Sequence, residues 1–510
     1  MDEQRPPSLS WGMWKRFAVA GVLIAVLSGG ATATVAINDL EKVGKHVFEN
    51  TVPLAKNIIR PYTGGPQTYL VLGSDRRAKS KDSLDRTNPP HSDTMLLVRF
   101  DPDQGQTSVM SIPRDLLVNI KSRKGEYYPQ EKINAAYTYG AKLGGVKGSM
   151  ELAAETIQHE VFPGLVINGI VDVNFASFIK IVDTQGCVYV NVDHRYLHIN
   201  GEGGEAYSEI NLQPGYQKLC YQSALSYVRY RHGDSDFVRV ARQQDFLRDL
   251  REQISPDDVL GQIHTVAKAV GHAIVSTFNN SASELIVLAK LVAFSQGKPL
   301  RQVKFRALNQ NAQLKGGSYV TTSPALAQAT LRDFLRSSPK PSLAHSGAVL
   351  RAARRARHGS RSSSAAAIGL YPASSTAPAQ FVKATVNLPF RVLLPTLGTG
   401  SAVQQAARTY DVRDQHGRLR HAYVIVWQQN SLGAYYDLEG TDWPDPPVIA
   451  HPDETRRIGG RTYMLSTDGG HIHTIAWRDG HALYWLTNTL LEDLTNQQML
   501  GIARSVQPMH

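Results

Sequence analysis

The chain has 510 residues, with 55 Lys and Arg against 44 Asp and Glu, 42% hydrophobic residues, 41 Gly and 26 Pro. That balance excludes a wholly disordered chain and leaves room for roughly two or three globular units. Its 2 cysteines exclude a disulfide scaffold or a four-Cys zinc site, and the formal charge of +11 suits nucleic acid, anionic lipid or phosphorylated substrate without selecting one.

Residues 17–37 carry no charge, and 21 such residues are enough to cross a bilayer as a helix. Arg5, Lys15 and Arg16 precede the span and Asp39 and Glu41 follow it, so the positive-inside rule leaves residues 1–16 in the cytoplasm and the bulk of the chain outside. A signal peptide cleaved after Ala31-Thr32-Ala33 is the rival reading; the long span favours a retained anchor. After a spacer over 38–66, residues 68–73 read as a buried strand. Strands over 94–100 and 107–112 follow, joined across Asp101-Pro102-Asp103-Gln104-Gly105-Gln106. Helical periodicity covers 132–143, 149–161, 173–183, 237–254, 285–294 behind a Ser281/Glu284 capping box, and 324–335, interleaved with strands near 187–192 and 303–307. Residues 67–336 therefore read as one α/β domain.

Residues 337–382, rich in Ser, Ala, Pro and Arg, read as a linker. Its Arg351, Arg354, Arg355, Arg357 and Arg361 suit acidic wall polymer or lipid outside a membrane, or are simply a solvated basic stretch. A second unit over 383–510 shows strands at 422–427, 461–465, 472–477 and 482–486. Arg478-Asp479-Gly480 turns the last pair, and a closing helix from about Asn496 aligns Met499, Ala503 and Val506, which predicts a small α+β domain.

Candidate chemistry gathers in the first domain. Asp75 follows a strand in Gly73-Ser74-Asp75 and Asp93 opens the next in His91-Ser92-Asp93-Thr94, so neighbouring strands place both at one sheet edge. Such hard oxygen donors suit Mg²⁺ or Mn²⁺; capping a turn is the alternative for each. Arg114 lies in Ser111-Ile112-Pro113-Arg114-Asp115, and Arg229 and Arg231 alternate before a further helix. With Asp236 as N-cap, Arg239, Arg242 and Gln243 share one face of that helix, an arrangement that favours phosphate oxygens; an ordinary basic face paired with Asp245 and Asp249 is the alternative. Other signals fail: Gly398-Thr399-Gly400-Ser401 lacks the third Gly of a dinucleotide loop, and His471 and His473 lack a third metal ligand.

The ordered segments Tyr69-Leu70-Val71-Leu72-Gly73-Ser74-Asp75, Ser92-Asp93-Thr94, Ser111-Ile112-Pro113-Arg114-Asp115, Lys132-Ile133-Asn134-Ala135-Ala136-Tyr137 and the block from Arg229 to Gln244 resemble the motifs of the LytR-CpsA-Psr family. The resemblance covers about 67–336. It implies an α/β fold with a mixed central sheet flanked by helices, and an enzyme moving a glycan polymer from a polyprenyl-pyrophosphate carrier onto peptidoglycan. It further implies that Asp75 and Asp93 bind Mg²⁺, and that Arg114, Arg231, Arg239 and Gln243 contact pyrophosphate, with Arg229, Asp236 and Arg242 in the same motif. Val238 stands where the family has Gly, which questions the local backbone. A wall-binding protein without catalysis is the alternative. Transcriptional regulation, an early label of this family, is opposed by the absence of a DNA-binding motif on the short tail, so no nucleic-acid partner is expected. Outside the membrane Cys187 and Cys220 are expected to pair, with two separately buried thiols as the alternative.

Overall fold

The computed structural model describes residues 51–54, 58–60, 65–76, 90–184, 186–199, 209–230, 235–253, 274–277, 300–336, 365–373, 378–468 and 470–509. The expected membrane span at 17–37, the helix at 285–294 and the basic cluster at 351–361 lie outside them. Among the described residues no helix is long and apolar enough to cross a membrane.

The chain forms two compact units, one of Met1–Val188, Cys220–Leu225 and Ile254–Ser337, the other of Tyr189–Leu219, Ser226–Gln253 and Ser338–His510. A six-stranded mixed sheet organises the first. Its strands run, edge to edge, Ile274–Ser276, Gly169–Asn174, Gln67–Ser74, Ser92–Asp101, Gln106–Ile112 and Leu300–Gln302. The Gln67–Ser74 strand pairs antiparallel with Ser92–Asp101 and parallel with Gly169–Asn174, and its Leu70, Val71 and Leu72 are buried on both faces of the sheet. Leu70 lies opposite Leu97, and Leu97 opposite Met110, all buried. The predicted break between helices at 132–143 and 149–161 is real: one element, Ala135–Thr156, loses helical geometry at Gly144 and Gly145. Gly140 faces Gly148 so closely that a Cβ would meet the Gly148 carbonyl oxygen at 2.2 Å, which fixes Gly at that crossing. The Pro324–Leu335 helix agrees with its predicted bounds, its Ser323 cap accepting from the Leu326 N–H. The strand expected at 303–307 instead lies at Leu300–Gln302, with Val303 and Phe305 buried beyond it.

The second unit is built on a seven-stranded antiparallel sheet in the order Val403–Arg413, Leu419–Gln428, Tyr435–Thr441, Ala482–Asn488, His471–Asp479, Arg461–Asp468, Glu454–Ile458. Tyr423, Ile425, Trp477, Tyr484 and Leu486 share a core with Met499 and Ile502 of the Asn496–Ser505 helix. Ala476, Leu483 and Trp485 share another with Trp443, Tyr189 and Tyr216.

This second cluster explains why the units divide differently from the sequence reading. Residues 189–219 and 226–253, expected in the first domain, bury their aromatic and charged side chains with the C-terminal strands: Asn191 donates to Asp437 and to Thr487, and Tyr189 to the Arg413 carbonyl. The expected linker is also shorter, since Ile368 and Leu370 and the Phe381 of the Ala379–Thr385 helix pack into the first of these cores.

The Cys187–Cys220 disulfide is formed, both residues lying in the first unit, with a sequence separation of 33. Chain-entropy arithmetic for that loop gives a contribution of about 3–4 kcal/mol. Cys187→Ser/Cys220→Ser is therefore expected to lower unfolding stability by about that much, read by denaturant titration.

Glu439, buried in the second sheet, accepts from the Tyr410 hydroxyl and the Tyr216 N–H, with Asp437 and Arg408 nearby. Burial pushes its pKa from the ordinary 4.5 up to about 8, and burial pushes Asp437 in the same direction. A folded-state pKa above the unfolded one means stability present below the unfolded value and lost as pH rises through the folded one. Stability of the second unit should thus fall between about pH 5 and pH 9, and Glu439→Gln should flatten that slope in melts across the range.

Candidate functional site

Strand pairing explains how Asp93 is presented. Gly73 pairs with Thr94 and Ser74 with Ser92, so Asp93 is the extra residue of a β-bulge at the end of the first sheet. A Cβ at Gly73 would lie 2.9 Å from the Thr94 Cβ, so the strand must be Gly there. Asp75 follows directly: its backbone N–H donates to the His91 carbonyl, and its Oδ1 accepts the His91 N–H at 2.6 Å. The carboxylates of Asp75 and Asp93 thus share one sheet end, with side chains 35% and 30% exposed.

Arg114 is brought to the same place. Its Nη1 lies 2.5 Å from Asp93 Oδ1 and its Nε 3.5 Å from Asp115, which pairs in turn with Lys132 at 2.8 Å. The turn from Pro113 to Leu116 is held by the next motif: the Asn134 N–H donates to the Arg114 carbonyl and the Ile133 N–H to that of Leu116. Two sequence segments that resembled separate motifs are therefore one substructure. Thr138, a turn further on, donates to the Pro90 carbonyl and fixes the entry to the Asp93 strand.

Sequence reasoning missed Asp172. Fully buried on the Gly169–Asn174 strand, it accepts from the Tyr137 hydroxyl at 3.1 Å and pairs with Arg76, the residue after Asp75, at 3.4 Å. Burial raises its pKa, and the Arg76 charge opposes that rise. One signal was available: a lone Asp between Val171 and Val173 must find a partner inside.

The remaining candidates belong to the second unit, apart from Arg231, which lies outside the described residues. Arg229 ends the Tyr221–Arg229 helix. Asp236 is the first residue of the Asp236–Glu252 helix and not its cap. Ser235 holds that place, its hydroxyl accepting from the Val238 N–H and its carbonyl from the Arg239 N–H. Asp236 pairs instead with the buried Arg239, one turn on. The Gln243 side chain donates to the Val228 carbonyl and ties the two helices together. Val238 is buried with Ala241 and Leu490 in an ordinary helical turn, so replacing Gly there costs no left-handed backbone.

Arg242 was expected among the substrate contacts; its place is inside the protein. It is 0% exposed, donates to the Tyr196 hydroxyl and the Tyr230 carbonyl, and stands over the rings of Tyr196, Tyr227 and Tyr230. Its charge also helps hold the buried Asp193 ionised, together with His194 and against burial. Removing one member of such a buried set strands the others. Arg242→Met is expected to cost about 3–5 kcal/mol of stability in equilibrium unfolding, whatever its effect on turnover.

Among the described residues no group of three or more His, Cys, Asp or Glu could hold a metal ion. Two carboxylates at a sheet end still fit Mg²⁺, which keeps several waters and takes phosphate oxygens to complete its shell.

The LytR_cpsA_psr family model matches residues 29–333, a span containing every candidate above. The polyisoprenyl-teichoic acid–peptidoglycan teichoic acid transferase TagT of Bacillus subtilis (strain 168) is 29% identical over 231 residues, 45% of this chain and 66% of that protein. Biofilm regulatory protein A of Streptococcus mutans is 27% identical over 273 residues, 52% of this chain and 63% of that protein. A crystal structure of a Streptococcus agalactiae protein covers 54% of this chain and 90% of its own at 21% identity, with a TM-score of 0.45. The chain spans between about half and two thirds of the length of the curated relatives it matches.

Proposed function

The chain belongs to the LytR_cpsA_psr family, and from that premise we propose that it is a phosphotransferase moving a glycan polymer from a polyprenyl-pyrophosphate carrier onto peptidoglycan. The observation that carries the reading is the bulged Asp93 with Arg114 2.5 Å away and Asp75 on the adjoining strand end, an anion-binding cation beside two hard-oxygen donors. The TagT relative bears a name of the same reaction class.

In the proposed step a peptidoglycan sugar hydroxyl attacks the glycan-bearing phosphorus. The P–O bond to the bridging oxygen breaks, polyprenyl monophosphate leaves with the electron pair, and the proton lost by the hydroxyl ends on that departing phosphate oxygen, directly or through water. Water as acceptor gives hydrolysis instead. Asp75 and Asp93 would hold Mg²⁺ or Mn²⁺, which when bound supplies charge neutralisation for the phosphates. Two carboxylates cancel the charge of one divalent ion, whereas a substituted pyrophosphate brings about two negative charges, so arginines must supply the net attraction. Arg114 is proposed to do so from its place beside Asp93. Arg239 is proposed to exchange its Asp236 partner for a phosphate oxygen, and Arg229, Arg231 and Gln243 keep the binding roles that the family motif implies. No covalent nucleophile is needed, because charge stabilisation and alignment carry phosphoryl transfer.

The disulfide supports an oxidising compartment, in accord with a proposed single-pass anchor at 17–37 and an extracytoplasmic bulk. The second reading, an envelope protein that binds the carrier or wall polymer without turnover, is separated by the same experiment.

Asp75→Ala and Asp93→Ala are expected to lower metal-dependent release of polyprenyl phosphate by about 10²-fold or more and to abolish its sensitivity to chelator. Arg239→Ala should weaken both carrier binding and turnover, with Arg239→Lys recovering part, since an ammonium keeps the charge and loses the fork. Wild-type binding and release in all of these variants would contradict the assignment.

A further inference from the structure

The Asp236–Glu252 helix carries a second buried arginine with no part in the chemistry above. Arg248 is 5% exposed, and its guanidinium meets Asp245 of its own helix at 2.9 Å, Asp468 at 3.1 Å and Glu492 at 3.9 Å. Asp468 ends the Arg461–Asp468 strand, and Glu492 belongs to the loop before the Asn496–Ser505 helix. His473, of the His471–Asp479 strand, lies 3.4 Å from Glu492; burial first and Arg248 second pull its pKa down to about 3, so it adds no positive charge. Among the described residues, Arg248 thus meets both Asp468 and Glu492. The loop supplying Glu492 is itself held: Leu490 and Glu492 take left-handed backbone angles, φ 40° and 50°, while Leu490 packs on Val238 and Ala241 of the same helix.

Arg248 follows Arg239 by nine residues, about 2.5 helical turns, so it leaves the helix on the opposite side. A socket there sets the helix's position and rotation without occupying the Arg239 face.

We propose that Asp468 and Glu492 are positioning residues that clasp Arg248 and thereby fix the helix bearing Arg239 and Gln243. Polymer transfer then depends on strands beyond the family-matched residues 29–333. The inference rests on the transferase reading for its effect on turnover, and on the charge cluster alone for its effect on the helix.

The test uses the full chain. Asp468→Asn/Glu492→Gln keeps shape and removes both charges, leaving Arg248 under-compensated; amide exchange over 236–252 should quicken by about tenfold or more, and kcat/KM for polyprenyl phosphate release should fall about tenfold. Adding Arg248→Met removes the stranded charge and should bring both readouts back to within about threefold of wild type. The proposal is overturned if the double variant exchanges and turns over like wild type, if exchange quickens while turnover is unchanged, or if Arg248→Met gives no rescue. Should the double variant fail to accumulate, Arg248→Met alone is compared with the triple variant. Better protection in the triple supports the socket, and equal or poorer protection overturns it. Exchange is read without substrate, so a wild-type chain inactive on the carrier would refute the transferase reading while exchange still decides the socket.

Discussion

A guanidinium withdrawn from water cannot shed its charge, so the protein must place acceptors around it before the fold can close. Arg114, Arg239, Arg242 and Arg248 are all buried, and each has a different solution. Arg114 is met by Asp93 and Asp115, Arg239 by Asp236, Arg242 by a hydroxyl, a carbonyl and tyrosine rings, and Arg248 by carboxylates from its own helix, a strand end and a loop. In the first unit this requirement ties the motif containing Arg114 to the one containing Lys132, because Asp115 needs both cations. In the second it draws residues 236–252 and the C-terminal strands into one body. Two of these four, Arg114 and Arg239, are also the ones proposed to bind pyrophosphate, and under that proposal Asp236 would satisfy the arginine at rest and compete with a phosphate for it.

Backbone geometry does the rest of the positioning. A bulge adds one residue to a strand and turns its side chain out of the pleat's alternation, which gives Asp93 partial exposure between a buried Ser92 and a strand core. Asp75 is fixed by its exchange of hydrogen bonds with His91, and the residue beyond it, Arg76, is drawn inward by Asp172. Both aspartates are thus placed at one sheet end by backbone pairing.

Three neighbouring strands of the first unit's sheet, Gln67–Ser74, Ser92–Asp101 and Gln106–Ile112, were legible because they are apolar runs with Gly and Pro between them, whereas Gly169–Asn174 and Ile274–Ser276 were not read as strands; the 324–335 helix was legible because its cap and its periodicity agree. The pairing of Asp93 with Arg114 was half legible: adjacency of the strands could be read, while the bulge that aims Asp93 depends on register, which no single strand encodes. Domain division was misread for a physical reason. Tyr189, Tyr216 and Arg248 look like ordinary members of their local elements, and their partners Trp443, Trp485 and Asp468 lie more than two hundred residues away. Residues 365–382 read as linker because their apolar positions are sparse; Leu370 and Phe381 gain their cores from strands far along the chain. The enclosure of Arg242 was not legible, because sequence spacing shows that arginines share a helix face and does not show which of them packs among tyrosine rings.

The central claim concerns which bond breaks. Purified full-length protein would be incubated with Mg²⁺, a polyprenyl-pyrophosphate-linked glycan and a peptidoglycan fragment, and the products resolved by tandem mass spectrometry. A glycan joined to the peptidoglycan sugar through one phosphodiester, released together with polyprenyl monophosphate, is the predicted result. A glycan joined without phosphorus, with polyprenyl pyrophosphate released, or an intact donor retained on the protein, would contradict it.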